Sequence, residues 1–227
     1  MSKTKKIRRK KFNILKFLVF ILFLYILISA FFKILNVPIN NILILKNNYL
    51  SDEKIIEVSL LDNYPSFIKT TSYNIKKRIK KIPLVEDVKV SKRFGYRVVI
   101  EVTEKKILYM SRSDNMFVVS SGEKLELNNI SGVPILINFV PEDIEQKLIN
   151  KMKNLSINSI SKISEIEYSP TSYDDERFIF YMNDSNLVYI NLSSINKINK
   201  YNEIVTKLEG HSGILYLDSG NYFEIKE

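Results

Sequence analysis

A long apolar run near the start of the chain restricts what the rest of it can be. The run extends from Phe17 to Phe32, FLVFILFLYILISAFF, and contains no charged residue, glycine or proline. With its apolar flanks it offers 22 positions from Ile14 to Leu35, and such a helix measures roughly 33 Å, enough to cross a hydrocarbon core of about 30 Å. A buried core helix would be amphipathic, whereas this run is apolar on every side. The sequence therefore predicts a transmembrane helix, placed at residues 17–35.

The charges that flank the run predict its orientation. Residues 1–16 carry eight lysines and arginines and no acid, so the positive-inside rule keeps this basic tail in the cytoplasm and the C-terminal portion outside. A cleaved signal peptide is the alternative, but it would have a shorter apolar core and a small-residue cleavage site. Here Ser29-Ala30 precedes the bulky pair Phe31-Phe32. We therefore expect an uncleaved single-pass protein of type II topology in the cell membrane.

The net charge of +9 does not indicate nucleic-acid binding, because it comes from the tail. Of the 34 lysines and arginines, nine lie at or before Lys33, so 25 basic residues remain after the span against 25 acidic residues. The expected partner of the tail is the anionic inner leaflet of the lipid bilayer. The chain has no cysteine, which excludes disulfides, thiol chemistry and cysteine-based metal sites.

After the span, the pattern predicts a small α+β domain with the element order β-α-α-β-β. Ser51 is a good N-cap for the first helix. The second helix carries an apolar stripe of Ile75, Ile79 and Ile82, and Pro83 ends it. We expect both helices to pack on one side of a three-stranded sheet. The predicted elements are a strand at 39–45, helices from 51 to about 61 and over 71–82, and strands at 85–90 and 97–103.

The later part of the chain predicts a mixed, β-rich domain. A hairpin flanks Ser120-Ser121-Gly122-Glu123, and a helix opens at Pro141. A further helix has Ile198, Tyr201, Val205 and Leu208 on its inner side and ends at Gly210. The predicted strands are 117–119, 124–127, 133–140, 163–168, 177–182, 187–192, 214–217 and 222–225, and the inner stripe of the first helix is Ile144, Leu148, Met152 and Leu155.

Two segments carry a resemblance to a known family. Residues 82–90, IPLVEDVKV, and 98–105, VVIEVTEK, together with the order of elements, resemble the polypeptide-transport-associated (POTRA) domain of the FtsQ/DivIB family of bacterial division proteins. The resemblance continues in 117–125, 133–136 and 213–218. Together with the predicted tail and span, it gives four parts, namely a basic cytoplasmic tail at 1–16, a transmembrane helix at 17–35, a POTRA-like domain at 39–108 and an extracytoplasmic β-rich domain at 109–227.

The residues that could carry chemistry do not form a catalytic set. His211 is the only histidine, and a metal site or catalytic triad needs further groups. Ser-x-x-Lys occurs five times without its accompanying motifs, and Asp218-Ser219-Gly220 lacks the second loop of an aspartic protease. The acids at 174–176 lack the alternation of a calcium loop. The sequence therefore predicts no enzyme activity, no cofactor and no metal site.

Without a catalytic set, function is expected on surfaces held outside the membrane. The edge of the POTRA-like sheet is one such surface. The second is the closing strand pair, where Ile214, Tyr216, Tyr222 and Phe223 are candidate partner-binding residues, since aromatic side chains often anchor interfaces. The alternative is that these rings cover the local core.

The family resemblance implies a specific function for these surfaces. It implies a bitopic scaffold that recruits other single-span division proteins, of the FtsL and FtsB/DivIC type, to the septal wall-synthesis machinery. It also implies that the late strands of the β-rich domain contact partners, and that the protein lies at the division septum. A membrane-anchored peptidase and a POTRA-type protein-transport component are the alternatives.

Overall fold

The N-terminal apolar run forms one continuous helix. The computed structural model describes residues 13–128, 130–208 and 211–225, so most of the predicted basic tail lies outside the described residues. Helix α1, Ile14–Leu35, begins three residues before the predicted span, with the Asn13 side chain accepting a hydrogen bond from the Lys16 backbone N–H. None of its side chains is buried in protein. Within the described part of the chain it is the one helix long and apolar enough to cross a membrane.

The chain divides into two compact units. The first comprises residues up to Lys81 together with Val88–Val102, and the second comprises Ile82–Asp87 and Thr103–Glu227. We describe each unit separately. The predicted domain boundary at 108/109 stays a prediction.

The first unit confirms the predicted β-α-α-β-β order. Its sheet has the strand order β1-β3-β2, with β1 parallel to β3 and Ile44 opposite Ile100. Ile55 and Ile75, one from each helix, are fully buried with Ile100. The elements are β1 Asn41–Leu45, α2 Asp52–Ser59, α3 Ser72–Ile79, β2 Val85–Arg93 and β3 Arg97–Glu104.

Helix α3 is shorter than predicted. Thr71 is its N-cap and accepts a hydrogen bond from the Asn74 backbone N–H, while Lys80 is the C-cap, so Ile82 lies beyond the helix. The physical reason is Pro83, which disfavours helical backbone at the residue before it and leaves no room for a further turn. The Ser51 N-cap of α2 is confirmed by its hydrogen bond from the Lys54 N–H, at 3.2 Å.

The second unit is built on a nine-stranded sheet with helices over one face. The strand order is β12-β11-β10-β9-β8-β7-β4-β5-β6. The elements are β4 Ile107–Ser111, β5 Met116–Val119, β6 Lys124–Leu125, β7 Ile135–Leu136, α4 Glu142–Met152, α5 Ile157–Ile160, β8 Ile163–Tyr168, β9 Arg177–Met182, β10 Leu187–Asn191, α6 Tyr201–Val205, β11 Gly213–Tyr216 and β12 Tyr222–Ile225.

One hydrophobic core fills the space between this sheet and its helices. The predicted inner stripe of α4 is confirmed, since Ile144, Leu148 and Met152 are all buried, and Leu155 follows them. Alternate residues of β8 to β11 point into the same core. The side chains between them therefore face outward, on the opposite side of the sheet from the core.

Two predicted elements differ from the structure. The helix expected around Ile198 and Tyr201 is a 3₁₀ turn at Ile195–Lys200, then α6, then a second 3₁₀ turn at 206–208, and Gly210 lies outside the described residues. Ile198 and Tyr201 are both buried and lie three positions apart, which suits the three residues per turn of a 3₁₀ helix. The strand expected over 133–140 is reduced to the two residues of β7, because Pro134 and Pro141 cannot donate ladder hydrogen bonds.

Candidate partner-binding face

The structure places the four predicted partner-binding residues on two sides of the sheet. Tyr216 pairs with Tyr222, and both face outward. Ile214 lies on the same outward face two residues before Tyr216. Phe223 pairs with Leu215 and packs against the hydrophobic core. Three of the predicted residues therefore share one face, while Phe223 contributes to the opposite one.

The outward face carries three stacked tyrosines, which we call the tyrosine ladder: Tyr189 on β10, Tyr216 on β11 and Tyr222 on β12. The ring centroids of Tyr189 and Tyr216 are 5.2 Å apart with planes 11° from parallel. Those of Tyr216 and Tyr222 are 4.5 Å apart at 14°. Each ring lies beside its neighbour because the three residues are direct cross-strand partners. The last ring, Tyr222, is 52% exposed and lies on the outermost strand.

An ion pair holds the inner end of the ladder. The Arg177 guanidinium lies over the Tyr189 ring, 4.4 Å from its centroid. Arg177 Nε donates a hydrogen bond of 2.7 Å to Asp218 Oδ2, and the two side chains are only 18% and 9% exposed. Burial alone would raise the pKa of Asp218, but the hydrogen bonds from Arg177 and Ser219 lower that pKa below its ordinary value. The carboxylate therefore stays charged and fixes the arginine against the ring.

Carboxylates also fix the hydroxyl ends of this face. Tyr216 Oη donates to Glu224 Oε2 at 3.0 Å, and Tyr181 Oη donates to Glu167 Oε2 at 2.6 Å. The hydrogen bond to Glu167 raises the pKa of Tyr181 to about 12, and the bond to Glu224 raises the pKa of Tyr216. These tyrosines therefore remain neutral hydrogen-bond donors at physiological pH.

A buried asparagine positions strand β11. Asn186, in the turn before β10, accepts a hydrogen bond of 2.8 Å from the Gly213 backbone N–H. Its amide donates to Tyr201 Oη at 2.9 Å, and that hydroxyl in turn donates to Asp184. Burial raises the pKa of Tyr201, so this hydroxyl stays protonated. The network connects the start of β11 to the turn before β10 and to helix α6.

Gly213 allows the closing strand to approach. A Cβ built on this residue would overlap the backbone carbonyl oxygen of Glu224 and lie 2.8 Å from the Phe223 ring. Only glycine fits here, so Gly213 is a requirement for the β11–β12 pairing that carries Tyr216 and Tyr222.

Sequence reasoning missed Arg177 and Tyr189 as members of this face. Both lie in strands predicted from alternating hydrophobicity. Phe178, next to Arg177, points into the core, as do the residues on either side of Tyr189. The alternation alone indicates that they face outward. The contact of Tyr189 with Tyr216 depends on the parallel pairing of β10 with β11, which no local pattern encodes.

Several of the other residues considered for chemistry have structural hydrogen bonds. Among the Ser-x-x-Lys serines, Ser51 caps α2, Ser66 Oγ donates to the Leu35 carbonyl, and Ser159 Oγ lies 2.7 Å from the Ser156 hydroxyl. Asp218 accepts from Arg177, as described above. Within the described residues, no group of three or more His, Cys, Asp or Glu side chains is arranged to hold a metal ion.

Comparison with known proteins gives consistent matches. Residues 37–105 match the POTRA domain, FtsQ-type. Similar proteins are the cell division protein DivIB of Geobacillus kaustophilus, 27% identical with 98% of this chain and 89% of the relative covered, and of Bacillus subtilis, 26% identical with 99% and 88% covered. DivIB of Listeria monocytogenes is 28% identical, with 97% and 85% covered.

A solved structure is also similar. It is the major extracytoplasmic domain of the trans isomer of DivIB from Geobacillus stearothermophilus, 23% identical with a TM-score of 0.39, and the match covers 47% of this chain and 96% of that chain.

An apolar N-terminal helix followed by an FtsQ-type POTRA domain and a β-rich region defines a membrane-anchored POTRA protein with a single span. The predicted resemblance is confirmed by the POTRA match and by relatives that cover nearly the whole chain. The chain therefore carries an FtsQ-type POTRA domain and is similar over nearly its whole length to DivIB cell division proteins, which supports a role in bacterial cell division.

Proposed function

We propose that the chain is a non-enzymatic bitopic scaffold that recruits and stabilises other division proteins at the septum. The partners we propose are single-span proteins of the FtsL and FtsB/DivIC type and, through them, the septal wall-synthesis machinery. The tyrosine ladder ending on β12 is the observation that supports this proposal. It presents an ordered aromatic face at the exposed end of a sheet, which suits protein binding.

The outermost strand offers two ways to hold a partner. Its free edge accepts an added strand by main-chain hydrogen bonding. A side chain of that strand opposite Tyr222 would stack on its open ring, and a side chain opposite Glu224 would meet a carboxylate. We therefore expect a partner strand with an aromatic or aliphatic residue opposite Tyr222 and, two residues away, a lysine or arginine opposite Glu224.

The other parts of the chain keep the functions proposed from the sequence. Residues 39–108 serve as the POTRA module and 109–227 as the partner-binding β-rich domain. The type II orientation places both outside the cell membrane, with the basic tail in the cytoplasm. The structural hydrogen bonds of Ser51, Ser66 and Ser159 favour this scaffold over a serine peptidase.

A pair of matched substitutions tests the proposal. Tyr222→Asp puts a charge at the open end of the ladder, while Tyr173→Asp makes the same change at a tyrosine that is 98% exposed on a loop after β8. Full-length protein with each substitution is co-expressed with the proposed partners of the FtsL and FtsB/DivIC type and purified through a C-terminal tag. We expect Tyr222→Asp to lose the partners and Tyr173→Asp to retain them.

Fluorescent fusions of the same variants test septal recruitment in cells. The unmodified protein should lie at the division site, and the Tyr222→Asp variant should fail to bring its partners there. Full partner capture by the Tyr222→Asp variant would contradict the assignment of the ladder as the binding face.

A further inference from the structure

We propose that one end of the first unit lies in the outer headgroup layer of the membrane and binds phospholipids there. The surface consists of the loop 63–70 and the hairpin segment 92–97, which we call the collar. This goes beyond partner recruitment, because the ligand is the lipid surface itself. The observations that support it are the attachment of the collar to the end of α1, its exposed aromatic side chains and its charge.

The loop of the collar is hydrogen-bonded to the end of the membrane helix. Ser66 Oγ donates to the Leu35 carbonyl at 2.6 Å, and the Phe67 backbone N–H donates to the Val37 carbonyl at 2.8 Å. Pro38 and Ser66 also form a β-bridge. Leu35 is the last residue of α1, so it marks the boundary of the hydrocarbon core when the helix spans. The headgroup layer beyond that boundary is about 5–8 Å thick, and the loop therefore falls inside it.

The hairpin segment is bound to the loop. Lys92 Nζ donates to the carbonyls of Phe67 and Thr70, and it lies 4.3 Å from the Phe67 ring centroid. The Tyr96 ring meets the Phe67 ring edge to face, with centroids 5.5 Å apart. The Tyr96 carbonyl also accepts a hydrogen bond from the Asn40 N–H at 2.9 Å. The end of α1, the loop and the hairpin are thus joined at one end of the unit.

The apolar side chains at this end are exposed to an unusual degree. Phe94 is 98% exposed, Tyr64 52% and Ile68 41%. Tyr64 and Tyr96 have positive φ, 45° and 59°, a backbone conformation that is uncommon for bulky residues. A strained backbone that holds aromatic rings outward beside a membrane helix suits the interface, where tyrosine and other amphipathic rings accumulate.

The collar is basic and contains no acid. Arg93 and Arg97 are exposed, and Arg97 Nε donates to the Phe94 carbonyl at the tip of the turn. Lys69 is exposed as well, with its Nζ 2.6 Å from Asn36 Oδ1 beside the helix end. Cations around inserted rings are complementary to lipid phosphates. A lipid surface therefore matches both the charge and the apolar tips of the collar.

The absence of cysteine from the chain makes a depth measurement direct. Tyr64→Cys, Phe94→Cys and Leu45→Cys are each labelled with a fluorophore in full-length protein, which is reconstituted in phosphatidylcholine–phosphatidylglycerol vesicles with nitroxide-bearing headgroups. Leu45 is the control, because it is an exposed apolar residue at the opposite end of β1 from the hairpin turn. We expect strong quenching at 64 and 94 and retained fluorescence at 45. Equal quenching at the three positions would overturn the proposal.

A second comparison tests the charge. In the Phe94→Cys background, Arg93→Gln with Arg97→Gln should reduce the quenching at 94, whereas Lys77→Gln with Lys81→Gln, which removes the same charge elsewhere in the unit, should not. Quenching that is unaffected by the arginine substitutions would contradict the role of the basic residues. No partner protein is present in these vesicles, so the result is independent of the recruitment proposal.

Discussion

The two units expose aromatic side chains in contrasting ways. In the first unit, Phe94 and Tyr64 project from turns, and Phe94 is almost completely exposed. In the second unit, Tyr189, Tyr216 and Tyr222 lie on neighbouring strands and stack on one another. A ring on a turn contributes little to the free energy of unfolding, so it is available for a ligand without structural cost. A stacked ring contributes to both stability and binding, and its substitution must be interpreted through both.

The largest expected effect separates two adjacent residues of β12. Phe223→Asp places a carboxylate among apolar side chains around Leu215, and we expect the free energy of unfolding to fall by about 3 kcal/mol. Tyr222→Asp, one residue away on the outward face, should lower it by only about 0.5–1.5 kcal/mol, the range expected for the lost stacking. Urea denaturation of both variants measures the difference. A larger loss of unfolding free energy for Tyr222→Asp than for Phe223→Asp would assign the tyrosine ladder to the core.

The second expected effect concerns the Arg177–Asp218 ion pair at the inner end of the tyrosine ladder. Asp218→Asn removes the carboxylate that holds Arg177, and we expect a loss of about 2 kcal/mol near neutral pH, because both side chains are mostly buried. Asp114→Asn breaks a comparable but exposed bridge to Lys124 and should cost less than about 0.5 kcal/mol.

The pH dependence of that loss follows from the pKa of Asp218. The pKa is lowered in the folded state, so the contribution is fully present above the unfolded value, about 3.9, and is lost as the pH falls through the folded value. The stability difference between wild type and Asp218→Asn should therefore shrink in acid. Denaturation curves at neutral pH and at about pH 3 test this, and an undiminished difference in acid would show that the charge is not its source.

A smaller effect is expected from the stacking itself. Tyr216→Ala and Tyr222→Ala, made singly and together, should show a coupling free energy of about 0.5–1.5 kcal/mol, the range for stacked aromatic pairs. The free energies of unfolding for this double-mutant cycle are measured by thermal or urea unfolding. Additive effects would mean that the two rings act independently, as we expect for Tyr64 and Phe94 of the first unit.

The smallest effect is expected at the tip of the hairpin turn. Phe94→Ser removes a ring that is 98% exposed, so the free energy of unfolding should change by less than about 0.5 kcal/mol. Denaturation in detergent, away from a bilayer, provides the measurement. A large loss would show that Phe94 packs against protein, which would remove it from the lipid-binding collar.

Sequence reasoning identified what is encoded locally. The cap at Ser51 and the stripe containing Ile144 and Leu148 depend on residues within a few turns of one another, and the structure confirms them. The predicted ends of α3 were wrong, and so was the single helix predicted where the structure has two 3₁₀ turns around α6. A proline and tertiary packing determine where these helices end. The transmembrane helix was the clearest prediction, since it needs only length and composition.

The candidate face was only partly accessible to sequence reasoning. All four candidates were predicted together on the closing strand pair, but only Ile214, Tyr216 and Tyr222 share the outward face, since Phe223 pairs with Leu215 and packs against the core. Arg177 reaches Tyr189 across the β9–β10 hairpin, whereas Asp218, which holds Arg177, comes from a segment that is distant in the chain. Whether the face binds the proposed partners stays a prediction for the capture experiments.

The short strand β7 has a mechanical consequence for the second unit. It joins the β4–β6 part of the sheet to the β8–β12 part with only two registered pairs on each side. The Asn138 side chain extends that seam by exchanging two hydrogen bonds with the Tyr168 backbone. We expect the amides of this narrow joint to exchange with solvent sooner than those of β9, which is paired along its length with β8 and β10. Bending at β7 would tilt the tyrosine ladder as a rigid unit and leave the distances between its rings unchanged.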